Sequence, residues 1–170
     1  LNKVQKVYLR LTPGIDAHTH EFISTAHEDV KFGFSIASGA AEEALDLCAN
    51  HASLNLVGIH CHIGSQIFAV AGFKAAAQKL VSVLATFRDK YGKQLPELNI
   101  GGGYGIAYTK DESAIAPEVV IPAIAAVIKA ECEAVKLVVP KISIEPGRAI
   151  VGPTTTTIYL VGTTKDVKLD

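Results

Sequence analysis

Three short apolar runs in this 170-residue sequence end in groups able to do chemistry. The first, Leu56 to Gln66 (LVGIHCHIGSQ), carries His60 and His62, with Ser65 just beyond. Successive side chains on a strand point to opposite faces, so the two imidazoles share one surface and Cys61 takes the other. The second run ends in Gly101, Gly102 and Gly103. Such a triplet is either a tight turn or a cradle in which backbone N–H groups, freed of Cβ atoms, converge on an anion. It lacks both a Gly-Lys-Ser/Thr ending and the G-x-G-x-x-G spacing, which excludes the P-loop and Rossmann readings. The third run ends in Glu145, Pro146, Gly147 and Arg148. A carboxylate following Ile142 and Ile144 is costly to bury without a partner. Two readings stand for it: an ion pair with Arg148, or a carboxylate aimed at a cationic ring nitrogen of a bound ligand. Three strand ends of this kind imply one shared site.

His60 and His62, with the run Asp16, Ala17, His18, Thr19 and His20, have a superficial likeness to the first strand of metal-dependent amidohydrolase barrels. Two features oppose a metal. The Pro13-Gly14 break puts residues 16–20 in a loop, and no histidine follows His62 to complete a site. His60 reads as a core residue or a support for the site. Lys31, Phe32 and Gly33 read as a structural turn. Arg10 is either an exposed cation or a site residue, and spacing leaves both open.

These groups need elements to position them. VQKVYLRL, residues 4–11, is a strand that stops at Thr12, Pro13 and Gly14. Residues 15–35 show no periodicity and are expected as loop. Ser38 can cap a helix running through Asn50. A strand over 54–60 precedes a second helix, in which Phe73, Ala77, Leu80, Leu84 and Phe87 recur at helical steps towards Tyr91 and Gly92. Leu98 and Ile100 lead into the glycines, and Pro117 opens a third helix reaching about Val135. Residues 141–144 form the last strand of this series. After Gly152 and Pro153 the run TTTTIYLVGTTKDV alternates like a strand of another architecture. The expectation is an α/β fold: a partial (β/α)8 TIM-type barrel, roughly its second half, over 1–152, running into the start of a C-terminal β domain over 153–170.

Composition narrows the function classes. With 49% hydrophobic residues and a net charge of -1, the chain lacks the basic stripe that nucleic acid requires. Three unpaired-looking cysteines, Cys48, Cys61 and Cys132, point to reduced thiols and a cytoplasmic protein. The most apolar window, 119–128, is too short for a membrane span and holds Pro122. Leu1 opens in a hydrophobic run and the sequence has no methionine, so an internal piece of a longer protein is expected.

GIHCHIGSQI, NIGGGYGI and ISIEPGRAIVG, in that order and at these intervals, resemble the pyridoxal-phosphate decarboxylases of the alanine-racemase-like barrel fold. LRLTPGIDAHTHEFI and KFGFS extend the resemblance from about Val4 to the C-terminus and favour the branch acting on meso-diaminopimelate over those acting on ornithine or arginine. The resemblance implies pyridoxal 5'-phosphate as cofactor, a small-molecule amino-acid substrate and a homodimer. It implies that His62 stacks on the cofactor ring, that Ser65, Gly101, Gly102 and Gly103 bind its phosphate, and that Glu145 faces the pyridine nitrogen. Gly147 and Arg148 would complete the phosphate pocket, Arg148 also serving a substrate carboxylate, and Arg10 would support the ring hydroxyl side. Racemases of this fold place a basic group where Glu145 stands, so the acid favours decarboxylation. The family's cofactor-linking lysine lies upstream of every matched motif. The 170 residues alone are therefore expected to be inactive. A non-catalytic cofactor-binding barrel and, behind it, a metal-dependent amidohydrolase-like barrel are the remaining alternatives.

Overall fold

The computed structural model describes residues 3–15 and 31–167. Strand β1 spans Gln5–Thr12, β2 Phe34–Ser35, β3 Leu54–His60, β4 Glu97–Asn99 and β5 Lys141–Ser143. Among the described residues they make one five-stranded sheet in the order β2-β1-β3-β4-β5, all pairs parallel. Helix α1 (Ala40–Asn50) leads into β3, α2 (Val70–Tyr91) joins β3 to β4, and α3 (Pro117–Ala134) joins β4 to β5. From β1 through β3 and β4 to β5, each parallel neighbour is reached through a helix, α1, α2 or α3, the repeating unit of a (β/α) barrel, and β2 flanks β1 on its other side.

Strand alternation accounts for the core. Leu9 and Leu11 on β1, Ile59 on β3 with Cys61 after it, and Leu98 on β4 with Ile100 after it point to the helix side, all buried. They meet Phe73, Ala77, Leu80 and Leu84 from α2 and Ile124 and Ile128 from α3 in one apolar cluster. Local signals end the helices. Gly92, at φ 64°, closes α2 and donates its N–H to Arg88 O, and Pro117 starts α3 where a missing N–H is harmless.

The structure departs from the sequence expectation in four places. Phe34 and Ser35, expected as loop, pair with Leu11 and Thr12 as a short edge strand. A five-residue helix, α4 (Gly147–Val151), follows the last strand and had no sequence signal of its own. Helix α2, at 22 residues and mean hydropathy 1.2, is long and apolar enough to cross a membrane by length and composition, although the sequence pointed only to residues 119–128. In the fold its apolar stripe is buried in the core. Finally, the strand expected after Pro153 does not form. A 3-10 turn over Gly152–Thr154 gives way to residues 155–167 with neither helix nor strand, and Leu160 is 99% exposed. An alternating pattern becomes a strand only beside another strand that pairs its backbone, and no described strand lies beside this one.

Candidate active site

The register that buries Leu9, Ile59 and Leu98 sends their neighbours to the opposite face. Arg10 pairs with His60, His60 with Asn99 and Asn99 with Ser143, so four polar residues form a row across the sheet. Glu145, two residues beyond Ser143, lies above that row. Its backbone N–H donates to Gly101 O at 2.8 Å. One carboxylate oxygen, Oε1, accepts from Asn99 Nδ2 at 2.9 Å. The other, Oε2, lies 3.3 Å from His60 Nε2. The His60 side chain is 14% exposed and that of Glu145 is 54% exposed, so the acid is held at both carboxylate oxygens yet remains open to solvent.

The ion pair between Glu145 and Arg148 that the sequence allowed is not made. Arg148 instead donates from Nη2 to Ser65 Oγ at 3.1 Å and from Nη1 to the Tyr108 hydroxyl, with its guanidinium 5.8 Å from the Tyr108 ring centroid. The cause is local: Pro146 and Gly147 turn the chain into α4, which carries Arg148 towards the β3 loop while Glu145 stays over the strands.

The three glycines are demanded by backbone approach. A Cβ on Gly101 would lie 2.1 Å from Cys61 O, one on Gly102 2.2 Å from Glu145 O, and one on Gly103 2.2 Å from Gly64 O. The triplet is thus where the ends of β3, β4 and β5 converge. Its N–H groups have separate fates. Gly101 donates to Asn99 Oδ1 at 2.8 Å and Gly102 to His62 Nδ1 at 3.3 Å. Among the described residues, Gly103 N–H has no protein acceptor, while its carbonyl accepts from Ile67 N–H at 2.9 Å. Gly147 gives its N–H to Glu145 O at 2.9 Å, and a Cβ there would meet nothing within 4 Å.

His62 accepts at Nδ1, so its ring is neutral with the proton on Nε2. Partial removal from water, then the nearby Arg10 and His60, hold it below the usual imidazole value, with Glu145 opposing. Arg10 is half-buried in the row and lies 5.0 Å from the Phe32 ring centroid, while Thr12 Oγ1 donates to Phe32 O at 2.7 Å. The 31–33 turn therefore braces Arg10 as well as closing the chain. Burial pushes the Cys61 thiol up to about 12, which keeps it protonated on the helix side. Residues 16–20, the other half of the metal reading, lie outside the described residues, and among the described residues no cluster of three or more His, Cys, Asp or Glu side chains is assembled. A cavity of about 370 Å³ between α1 and α2, lined by Ile36, Leu45 and Phe87, includes none of the site groups.

Sequence reasoning missed Asn99, Tyr108 and the partnership of His60 with Glu145. Alternation could have placed Asn99 on the face opposite Leu98 and Ile100, away from the core. Tyr108, in a loop 40 residues from Arg148, carried no such signal.

A family model described as the pyridoxal binding domain of pyridoxal-dependent decarboxylases matches residues 1–152. The chain belongs to this family. Within it, the chain is 51% identical over 169 residues to diaminopimelate decarboxylase of Corynebacterium efficiens, covering 99% of this chain and 37% of the relative. It is 44% identical to the Bacillus subtilis enzyme of the same name, covering 95% and 37%. The crystal structure of diaminopimelate decarboxylase from M. jannaschii in complex with L-lysine superposes with a TM-score of 0.75 at 31% identity, over 86% of this chain and 33% of that one. The chain thus spans little more than a third of the relatives it matches.

The site fits the family's cofactor, pyridoxal 5'-phosphate, on its own chemistry. Arg148 has two hydroxyl partners and no carboxylate within 4.0 Å among the described residues, and it accompanies an acceptor-free Gly103 N–H, a donor set suited to a phosphate. Glu145, anchored apart from that cation, is suited to a protonated ring nitrogen.

Proposed function

We propose that the polypeptide carrying this chain decarboxylates meso-2,6-diaminopimelate to L-lysine using pyridoxal 5'-phosphate, and that these residues supply the phosphate and ring-nitrogen halves of the cofactor site. The observation that carries the reading is the separation of charge: among the described residues, Glu145 is held by Asn99 and His60, while the Arg148 side chain is held by two hydroxyls. Bound cofactor supplies an electron sink for the pair left behind when CO2 departs.

The chain's residues make that sink effective. Glu145 keeps a proton on the ring nitrogen, an anion paired with a cation. Ser65, Arg148 and Gly103 N–H bind the phosphate, with Gly101 and Gly102 fixing the turn that presents Gly103. Arg148 is also available to a substrate carboxylate, and Gly147 places it. His62, neutral, lends an uncharged imidazole face to the ring, and Arg10 supports the ring hydroxyl side. The lysine that links the cofactor lies outside residues 1–170. Residues 153–170 enter a C-terminal β domain whose strands pair with them, and a homodimer in the cytoplasm completes the enzyme. The strong identity to diaminopimelate decarboxylases supports this substrate over ornithine or arginine.

Borohydride reduction of the full polypeptide with pyridoxal 5'-phosphate, followed by peptide mapping, tests the frame. The expected result is one pyridoxyl-lysine adduct outside residues 1–170, with CO2 release from meso-diaminopimelate exceeding that from ornithine and arginine. An adduct on a lysine of this chain, or equal turnover of the three amino acids, refutes the reading.

A further inference from the structure

We infer that Asn99 is the positioning residue of this site, a side-chain amide that aims the Glu145 carboxylate and ties it to the glycine turn. The inference rests on the reading of Glu145 as the partner of the cofactor's ring nitrogen.

Asn99 ends β4, half-buried, in the row with Arg10, His60 and Ser143. An amide has one accepting and one donating end, and its two neighbours here demand the same orientation. Gly101 N–H must find an oxygen, and Oδ1 takes it at 2.8 Å. A carboxylate only accepts, so Nδ2 faces Glu145 Oε1, at 2.9 Å. Gly101 is a rigid anchor, at φ 74° with its Cβ space closed by Cys61 O, and its own carbonyl receives Glu145 N–H at 2.8 Å. Glu145 is therefore joined to Gly101 twice, through its backbone and through the Asn99 amide. Without Asn99, the described side-chain contact left to the carboxylate is His60, at the longer 3.3 Å.

The two holders differ in kind. The amide does not titrate and carries a fixed donor and a fixed acceptor, so Asn99 offers Glu145 and Gly101 the same two groups at any pH. Besides His60, the titratable groups that feel the Glu145 charge are His62 and Cys61 at the end of β3, and Arg10 on β1 acts on both of them. None of them reaches Oε1 within hydrogen-bond distance.

The test uses the full polypeptide loaded with ring-15N pyridoxal 5'-phosphate, reading the pH midpoint at which the ring nitrogen loses its proton. Asn99→Ala is expected to lower that midpoint by about one pH unit, a tenfold loss of preference for the protonated ring. Asn99→Ser, whose short hydroxyl can still accept from Gly101 N–H but cannot span to Glu145, is expected to match it and guards against a folding defect. Glu145→Gln lowers the midpoint further, and adding Asn99→Ala to it changes nothing more. A wild-type midpoint in Asn99→Ser, or an undiminished Asn99→Ala effect in the Glu145→Gln background, overturns the role of Asn99 alone. A wild-type midpoint in Glu145→Gln overturns the reading of Glu145 and this inference with it.

Discussion

Leu98 and Asn99 are adjacent on β4 and face opposite environments. Leu98 is fully buried among the helices, and Asn99 bridges a carboxylate and a glycine turn. The same contrast runs along β3, where Ile59 faces the core and His60 faces Glu145. On the helix side the requirement is volume and hydrophobicity, supplied collectively by many side chains. On the other side each contact is directional, and one changed atom type removes it. Stability and site chemistry are thus separated by a single residue step on the same strands.

The severest way to break that separation is Gly101→Ala, because Gly101 serves both faces. Its added Cβ would sit 2.1 Å from Cys61 O at a φ of 74°. It is expected to lower the unfolding free energy by about 4 kcal/mol or more and to abolish cofactor binding, as read by denaturant titration and by absorbance.

A paired substitution sharpens the contrast. Leu98→Ala is expected to cost about 3 kcal/mol of stability while leaving cofactor affinity per folded molecule unchanged. Arg148→Ala, on an exposed residue, is expected to weaken cofactor binding by about 2 kcal/mol with stability within about 0.5 kcal/mol of the parent. Calorimetry beside equilibrium dialysis reads both, and similar profiles for the two variants would erase the distinction between the faces.

Another expected effect is alkaline. The folded state holds the Cys61 thiol proton up to about 12, against 9.0 for the ordinary thiol, because burial disfavours the thiolate. Between those values the unfolded chain binds fewer protons than the folded one, so stability falls as pH rises through that window and is unaffected below it. Tyr104, buried and likewise raised to about 12 from 10.0, adds to the fall at its upper end. Unfolding titrations across the window are expected to show a shallower decline for Cys61→Ala, and an unchanged slope would count against the burial argument.

Much of the architecture was legible because periodicity reports burial directly. The steps of Phe73, Ala77, Leu80, Leu84 and Phe87 specify α2, and the strand over 54–60 coincides with β3. Phe34–Ser35 was hidden because two residues carry no period, and their pairing with Leu11 and Thr12 is set by the partner strand. Residues 155–167 show the converse: their alternation is a local preference, and a strand also requires a neighbour, which no described strand supplies.

The amino-acid sequence by itself determined the alternation of strand and helix, the three chemically armed strand ends, and the family to which their motifs point. The first two are read from residues a few positions apart, within reach of local periodicity, and the third from the order and spacing of the motifs along the chain. Tertiary structure alone decided that Glu145 leans on Asn99 and His60, 46 and 85 residues away, and that Arg148 turns to Ser65 and Tyr108. Those partnerships follow from strand register and from the turn at Pro146 and Gly147, which bring together groups that no spacing along the chain relates.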